Sequence, residues 1–245
     1  MRTFPERPTV AVVLPGTASD HLFVTAVFAG PLASLGIRLV APPPVAGAGV
    51  VRAMIAALDA EATPGALVGG VSLGAHVAAS WAVRRPGRAA GLLLAMPAWL
   101  GEPAPDAPAA VAARASAAAV RADGVDATLA GVRAGTPAWL ADELDRAWRG
   151  HGTGLADTLD AAAGTPAPTA EELRSLAVPA GIAVADDDPV HPGAVARLWC
   201  AALPNAAVVG TTLVAIGEDR AALGRAAVLA WLRAETRVSR LSRLS

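Results

Sequence analysis

Leu67-Val68-Gly69-Gly70-Val71-Ser72-Leu73-Gly74-Ala75-His76 reads as a buried strand that ends in Gly-x-Ser-x-Gly and runs straight into a helix. Gly70 and Gly74 remove the side chains that would clash on a sharp strand-to-helix turn, and such a turn holds the Ser72 hydroxyl out at the edge of a sheet. The helix expected over residues 75–85 aims its N-terminal amides at the same spot, where they favour negative charge developing beside Ser72. The other reading of the same residues is a tight structural turn in an α/β sheet.

Outward from this stretch the chain alternates. Residues 9–14 form a short β-branched apolar run that stops at Pro15-Gly16-Thr17, as expected of a strand covered on both faces. An amphipathic segment over 20–35, a strand over 36–41, a helix over 50–60, the strand 66–71, the helix 75–85 and a strand over 91–96 complete a βαβαβ pattern. Crossovers of this kind force a parallel sheet. From residue 101 to about 177 no strand is evident, only alanine-rich helical segments punctuated by glycine and proline. We read about four helices there, inserted as a cap, with starts at Thr136-Pro137 and at Thr169-Ala170-Glu171-Glu172. Strands over 180–185 and 206–211 flank a helix over 193–203, and a last helix runs over 220–234. The division is a discontinuous core over 1–100 and 178–236, a helical cap over 101–177 and a flexible tail over 237–245.

Composition narrows the function classes. The chain has 245 residues, 54% of them hydrophobic, and a formal charge of −1, which suits a globular protein and not a general nucleic-acid binder. All 20 basic residues are arginine, so no phosphate-binding lysine exists, and no Gly-x-Gly-x-x-Gly follows the first strand; no cofactor is expected. The single cysteine, Cys200, excludes a disulfide framework and a thiolate-rich zinc site, and no histidine pair has metal-ligand spacing. No apolar run reaches the roughly 18 residues of a membrane span, and the first twenty residues lack a signal-peptide pattern, so the expected location is cytoplasmic and the expected partner a small-molecule substrate.

Element order, the Ser72 turn and the cap together resemble the α/β-hydrolase superfamily, specifically its small capped members. That resemblance implies a mostly parallel sheet flanked by helices, shortened at its N-terminal edge because nothing before Thr9 supplies the usual leading hairpin. It also implies a triad in the chain order serine, acid, histidine. Ser72 matches the nucleophile. Leu73 and Thr17 match the two amides of the oxyanion hole, the latter in Leu14-Pro15-Gly16-Thr17 where the family usually has His-Gly. Asp188, in Asp188-Pro189-Val190-His191-Pro192, matches the acid.

The histidine position does not match. After the last strand the family carries a histidine, and here Glu218 stands in Leu213-Val214-Ala215-Ile216-Gly217-Glu218-Asp219. A glutamate near its ordinary pKa of about 4.3 is a poor base for a serine hydroxyl. His191, on the loop that carries Asp188, is the first substitute, and His21, just past the Thr17 loop, is a pocket candidate. His76, one turn past Ser72, reads as a packed structural residue, and His151, between glycines of the cap, as a solvated one. Trp99, Trp139 and Trp148 are candidates for the pocket wall; Trp81, Trp199 and Trp231 read as core.

The reading that follows is a serine hydrolase, an esterase or thioesterase-like enzyme, acting on a small apolar acyl substrate. Its rivals are a hydrolase-fold protein with a degenerate triad serving as a binding or accessory module, and a non-hydrolytic lyase or cyclase. The discriminating observation is an imidazole within about 3.5 Å of Ser72.

Overall fold

The apolar runs form six strands in the computed structural model, which describes residues 7–241 and side chains as far as Arg237. In chain order the elements are β1 (Val10–Leu14), α1 (His21–Ala33), β2 (Arg38–Val40), α2 (Val50–Glu61), β3 (Ala66–Val71), α3 (Leu73–Arg84) and β4 (Ala89–Ala95). Then come α4 (Pro108–Gly135), α5 (Ala138–His151), α6 (Leu155–Ala163), α7 (Ala170–Arg174), β5 (Ala180–Ala185), α8 (Gly193–Ala202), β6 (Ala206–Thr211), α9 (Leu213–Glu218) and α10 (Ala221–Leu241). Every strand pairing is parallel, and the sheet order is β2-β1-β3-β4-β5-β6.

Alternation along the strands builds one core on each face. Val12, Leu14, Val68, Leu92, Leu94, Ile182 and Val184 pack with α2, α3 and α8. Their neighbours Ala11, Val13, Leu67, Leu93, Ala183 and Ala185 pack with α1 and α10 on the other side. Residues buried on both faces explain why β3 and β5 read as unbroken apolar runs. Trp81, Trp199 and Trp231 are core, as expected, with 0%, 0% and 3% exposure. The strand order reverses between β1 and β3, and in sheets of this kind ligands bind beyond the carboxyl ends at such a switch point. Pro15-Gly16-Thr17 follows β1, and Ser72 follows β3.

Between β4 and β5 the described residues are helical or loop, with no strand; α4 to α7 are the four helices expected there. Gly124 breaks α4 with a φ of 80°, a backbone conformation that L side chains rarely adopt. α7 starts at the predicted position: the Glu172 amide donates to Thr169 Oγ1 at 3.1 Å, and the Thr169 amide donates back to Glu172 Oε2 at 2.8 Å. Exposed ion pairs brace the insertion, with Arg121 held by Asp157 and Asp160 and Arg149 by Asp126 and Asp145.

Two elements differ from the sequence reading. The helix after Ser72 begins at Leu73 itself, not two residues later. At the C-terminus, where a tail was expected from residue 237, α10 continues to Leu241 and Arg237 Nη1 donates to the Ala206 carbonyl at 3.4 Å; the rest of the expected tail lies outside the described residues. Among the described residues no helix is long and apolar enough to cross a membrane.

Candidate active site

Ser72 has φ 52° and ψ −115°, a positive φ that is rare for a residue with a side chain and costs on the order of 1–3 kcal/mol. Close packing explains why glycines flank it. A Cβ on Gly74 would stand 2.5 Å from the Pro15 carbonyl oxygen and 2.7 Å from that of Leu14, and one on Gly70 would overlap the backbone of Gly74. Gly70 thus lets the end of β3 fold tightly onto the start of α3, and Gly74 lets the elbow press against the loop after β1. The Ser72 amide donates to Ala95 O at 2.8 Å, and its carbonyl accepts from Ala75 and His76 at 2.9 and 3.2 Å. Its side chain makes no capping bond to α3, which leaves the hydroxyl free to turn elsewhere.

It turns to His191. The Ser72 hydroxyl lies 2.9 Å from His191 Nε2, and His191 Nδ1 lies 2.7 Å from Asp188 Oδ2. A carboxylate can only accept, so Nδ1 carries the hydrogen and Nε2 presents its lone pair to the serine proton. The imidazole is well inside the 3.5 Å that separates the readings. Acid and histidine share one loop three residues apart, and the Asp188 carboxylate also folds that loop: Oδ1 accepts the Val190 amide at 2.7 Å and the His191 amide at 3.3 Å. Burial acts to raise the Asp188 pKa, but the His191 side chain and the two amides outweigh it and hold the carboxyl below its ordinary value.

The position that the resemblance gives to histidine is occupied differently. Residues 213–218 form α9, Glu218 is exposed, and Leu213 and Ile216 face the site as apolar wall. Thr212 caps this helix by accepting the Ala215 amide at 3.1 Å, and Asp187 accepts the Leu213 amide at 2.5 Å.

Gly16 and Thr17 lie along the elbow: a Cβ on Gly16 would sit 3.3 Å from Val71 O and 3.5 Å from Ser72 Cβ. Leu73 opens α3, so its amide is among those that have no acceptor within the helix. His76 is fully buried, as its structural reading requires. Its Nε2 accepts the Ala98 amide at 2.9 Å, its ring stacks on Trp199 at 5.6 Å and meets Trp99 edge-on at 4.8 Å. Desolvation, with a smaller contribution from His191, pushes its pKa down to about 3.

Ser72, Asp188, His191 and Thr17 open onto a cavity of about 350 Å³ between the sheet edge and the insertion. Its wall is mainly apolar, with Phe23, Val71, Met96, Leu140, Trp139, Trp148 and Ile216 among the lining residues, and Glu143 the one charged lining residue outside Asp188 and His191 among those described. Trp139 and Trp148 thus stand where the sequence reading puts them. His21 and Trp99 are not among the described lining residues. His21 is the first residue of α1, and Trp99 turns to the other face of the sheet, its indole donating to Thr165 O at 3.2 Å. His151 is also corrected: it is buried at 6% exposure, with Nε2 3.2 Å from the Ser19 carbonyl. Phe23, Met96 and Glu143 had no sequence signal of their own, since they reach the cavity from three separate elements.

No protein-family model matches the sequence, and no curated protein matches it. Solved structures do. The chain is similar to a hydrolase from Pseudomonas aeruginosa at 21% identity, over 94% of this chain and 92% of that one, with a TM-score of 0.67. It is similar to the enol-lactonase from Burkholderia xenovorans at 17% identity, over 93% and 92%, with a TM-score of 0.69. An alpha/beta hydrolase enzyme from a Medee basin deep-sea metagenome library gives 14% identity, 95% and 92%, and 0.68. Likeness over almost the whole length establishes the architecture: the chain has the α/β-hydrolase fold.

Proposed function

We propose that this chain of α/β-hydrolase fold is a serine hydrolase for small, largely apolar carboxylic esters or thioesters. The observation that carries the reading is the continuous path Ser72 Oγ, His191 Nε2, His191 Nδ1, Asp188 Oδ2, with steps of 2.9 and 2.7 Å. Ser72 attacks the acyl carbon while its proton passes to His191 Nε2, and Asp188 steadies the imidazolium that forms. The amides of Leu73 and Thr17 receive the oxyanion, each worth about 3 kcal/mol of barrier. The tetrahedral intermediate collapses, the C–O or C–S bond breaks, and the leaving group takes the proton from His191. Water, deprotonated by the same imidazole, then attacks the acyl-serine and releases the carboxylic acid. The helical insertion acts as the cap that closes the cavity over Ser72, and its apolar wall of about 350 Å³ suits a small acyl group better than an anion.

A binding module has no need of a base aimed at the serine, so the histidine contact favours hydrolysis over it. A fluorophosphonate probe, which reacts with activated serines, tests this. Native protein is expected to label, and Ser72→Ala and His191→Ala to lose labelling while remaining folded by circular dichroism. Folded native protein that fails to label overturns the reading.

A further inference from the structure

Residues 16–20 form the loop after β1, and three of its consecutive residues are held by the helical insertion. Ala18 has a φ of 48°, the third position of a turn closed by the Ser19 amide donating to Gly16 O at 3.2 Å. Turns with positive φ at that position ordinarily use glycine or asparagine there. An alanine stays in the left-handed region only when its surroundings over-determine it. Those surroundings come from the insertion: Ala18 is 1% exposed and packs in a cluster with Ala117, Leu129, Trp148, Leu155 and Leu159. Next in the chain, the Ser19 carbonyl accepts from His151 Nε2 at 3.2 Å. Then Asp20 takes a two-pronged grip from Arg146, with Nε to Oδ2 at 2.8 Å and Nη2 to Oδ1 at 2.9 Å. Asp20 also caps α1 through the Phe23 amide at 2.9 Å, so the far end of the loop is pinned to the core.

We propose that the insertion sets the geometry of the oxyanion loop, with Arg146 and His151 as positioning residues that act through Asp20 and Ser19 on the Thr17 amide. The inference rests on the serine-hydrolase reading for its catalytic consequence, and on geometry alone for the clamp. An amide must point at the developing charge within a few tenths of an ångström to count, and losing one such donor costs on the order of 10²–10³ in kcat. A loosened donor is expected to cost part of that. The insertion thus does more than cover the cavity: seating it completes the site. A bidentate contact cannot be kept by lysine, which offers a single point charge, so charge alone does not restore it.

The test compares wild type with Arg146→Met, Arg146→Lys, His151→Phe and the control Arg133→Met, which removes an exposed insertion ion pair to Asp142 away from the loop. Each is assayed for kcat and KM on a short-chain p-nitrophenyl ester, for fluorophosphonate labelling rate, for thermal midpoint, and for hydrogen exchange of the peptide covering residues 16–20. Expected are a fall in kcat and labelling rate of about tenfold or more in the Arg146 variants and in His151→Phe, with KM within about twofold. Faster exchange in residues 16–20 accompanies it, and Arg133→Met matches wild type in all four readouts. A fall confined to KM or to the thermal midpoint, or unchanged exchange in 16–20, overturns the proposal. If wild type neither labels nor turns over, the serine-hydrolase reading fails by itself, and exchange in residues 16–20 still decides whether the clamp exists.

Discussion

Asp188→Asn changes one atom and is expected to remove most of the activity. In the wild type the carboxylate accepts three hydrogens, from His191 Nδ1 at 2.7 Å and from the Val190 and His191 amides at 2.7 and 3.3 Å. An asparagine keeps its Oδ1 on the two amides, because they fold the loop, and so turns its NH₂ toward the imidazole. His191 Nδ1 must then accept, the hydrogen moves to Nε2, and Nε2 can no longer take the serine proton 2.9 Å away. A base held in the wrong tautomer by this change is worth a loss of about 10³–10⁴ in kcat, or roughly 4–5.5 kcal/mol of barrier. Near neutral pH the variant should lose only the charge's own contribution to stability, since the loop's amide bonds survive. With the folded pKa of Asp188 lowered, the native carboxylate stabilises the fold above the ordinary carboxylate pKa, and that contribution disappears as pH falls through the lowered value. The assay is kcat on an ester at pH 7–8 alongside a thermal melt. A loss below tenfold, or a loss that merely follows a collapse of the melt, would refute the relay.

Three further outcomes follow from the same geometry. Glu218→His in a His191→Ala background should restore no labelling, because residue 218 ends α9 with its side chain exposed while Leu213 and Ile216 face the cavity; recovered labelling would show that the usual histidine position is still usable. His76 is held neutral with its pKa near 3, so the unfolded chain binds the extra proton between about pH 6.5 and 3. Urea midpoints should therefore fall as pH drops through that window, and a His76→Gln variant should show a shallower fall; parallel curves would discredit the assignment. Gly74→Ala puts a Cβ 2.5 Å from the Pro15 carbonyl, so the loop after β1 must shift, and the expected result is at least a tenfold drop in kcat with a lowered melt, against a null of unchanged kinetics.

Most of the core was legible because its signal is local. β-Branched runs between turn residues, and a glycine pair around Ser72, announce strands and an elbow without reference to distant parts of the chain. Placement of the candidate pocket residues was not local. Trp99 and Trp139 are both tryptophans near helix or strand ends, yet Trp99 turns under the sheet to His76 while Trp139 lies over Gly217 in the cavity wall, a choice made by the neighbours each one meets. His151 read as solvated from its flanking glycines, but its partner is a carbonyl 132 residues earlier in the chain, which no window of sequence contains. Beyond residue 234, the three-residue Arg-Leu-Ser spacing masked the helical continuation of α10, because it matches no apolar stripe of period 3.6.

The histidine is the instructive case. A triad requires three groups within reach, not three particular loops, so a base that rises from the acid's own loop satisfies the same distances. Asp188-Pro189-Val190-His191 achieves this locally, since the carboxylate that orients the imidazole also accepts the amides that curl the loop under it. Residues 213–218 form a short helix capped by Thr212 and Asp187 and contribute Leu213 and Ile216 to the cavity wall. On the proposed mechanism, Leu213 and Ile216 offer no polar group to the charge that develops beside Ser72, which falls to the amides of Leu73 and Thr17. On the same mechanism, the insertion's hold on residues 18–20 bears directly on how well that charge is met.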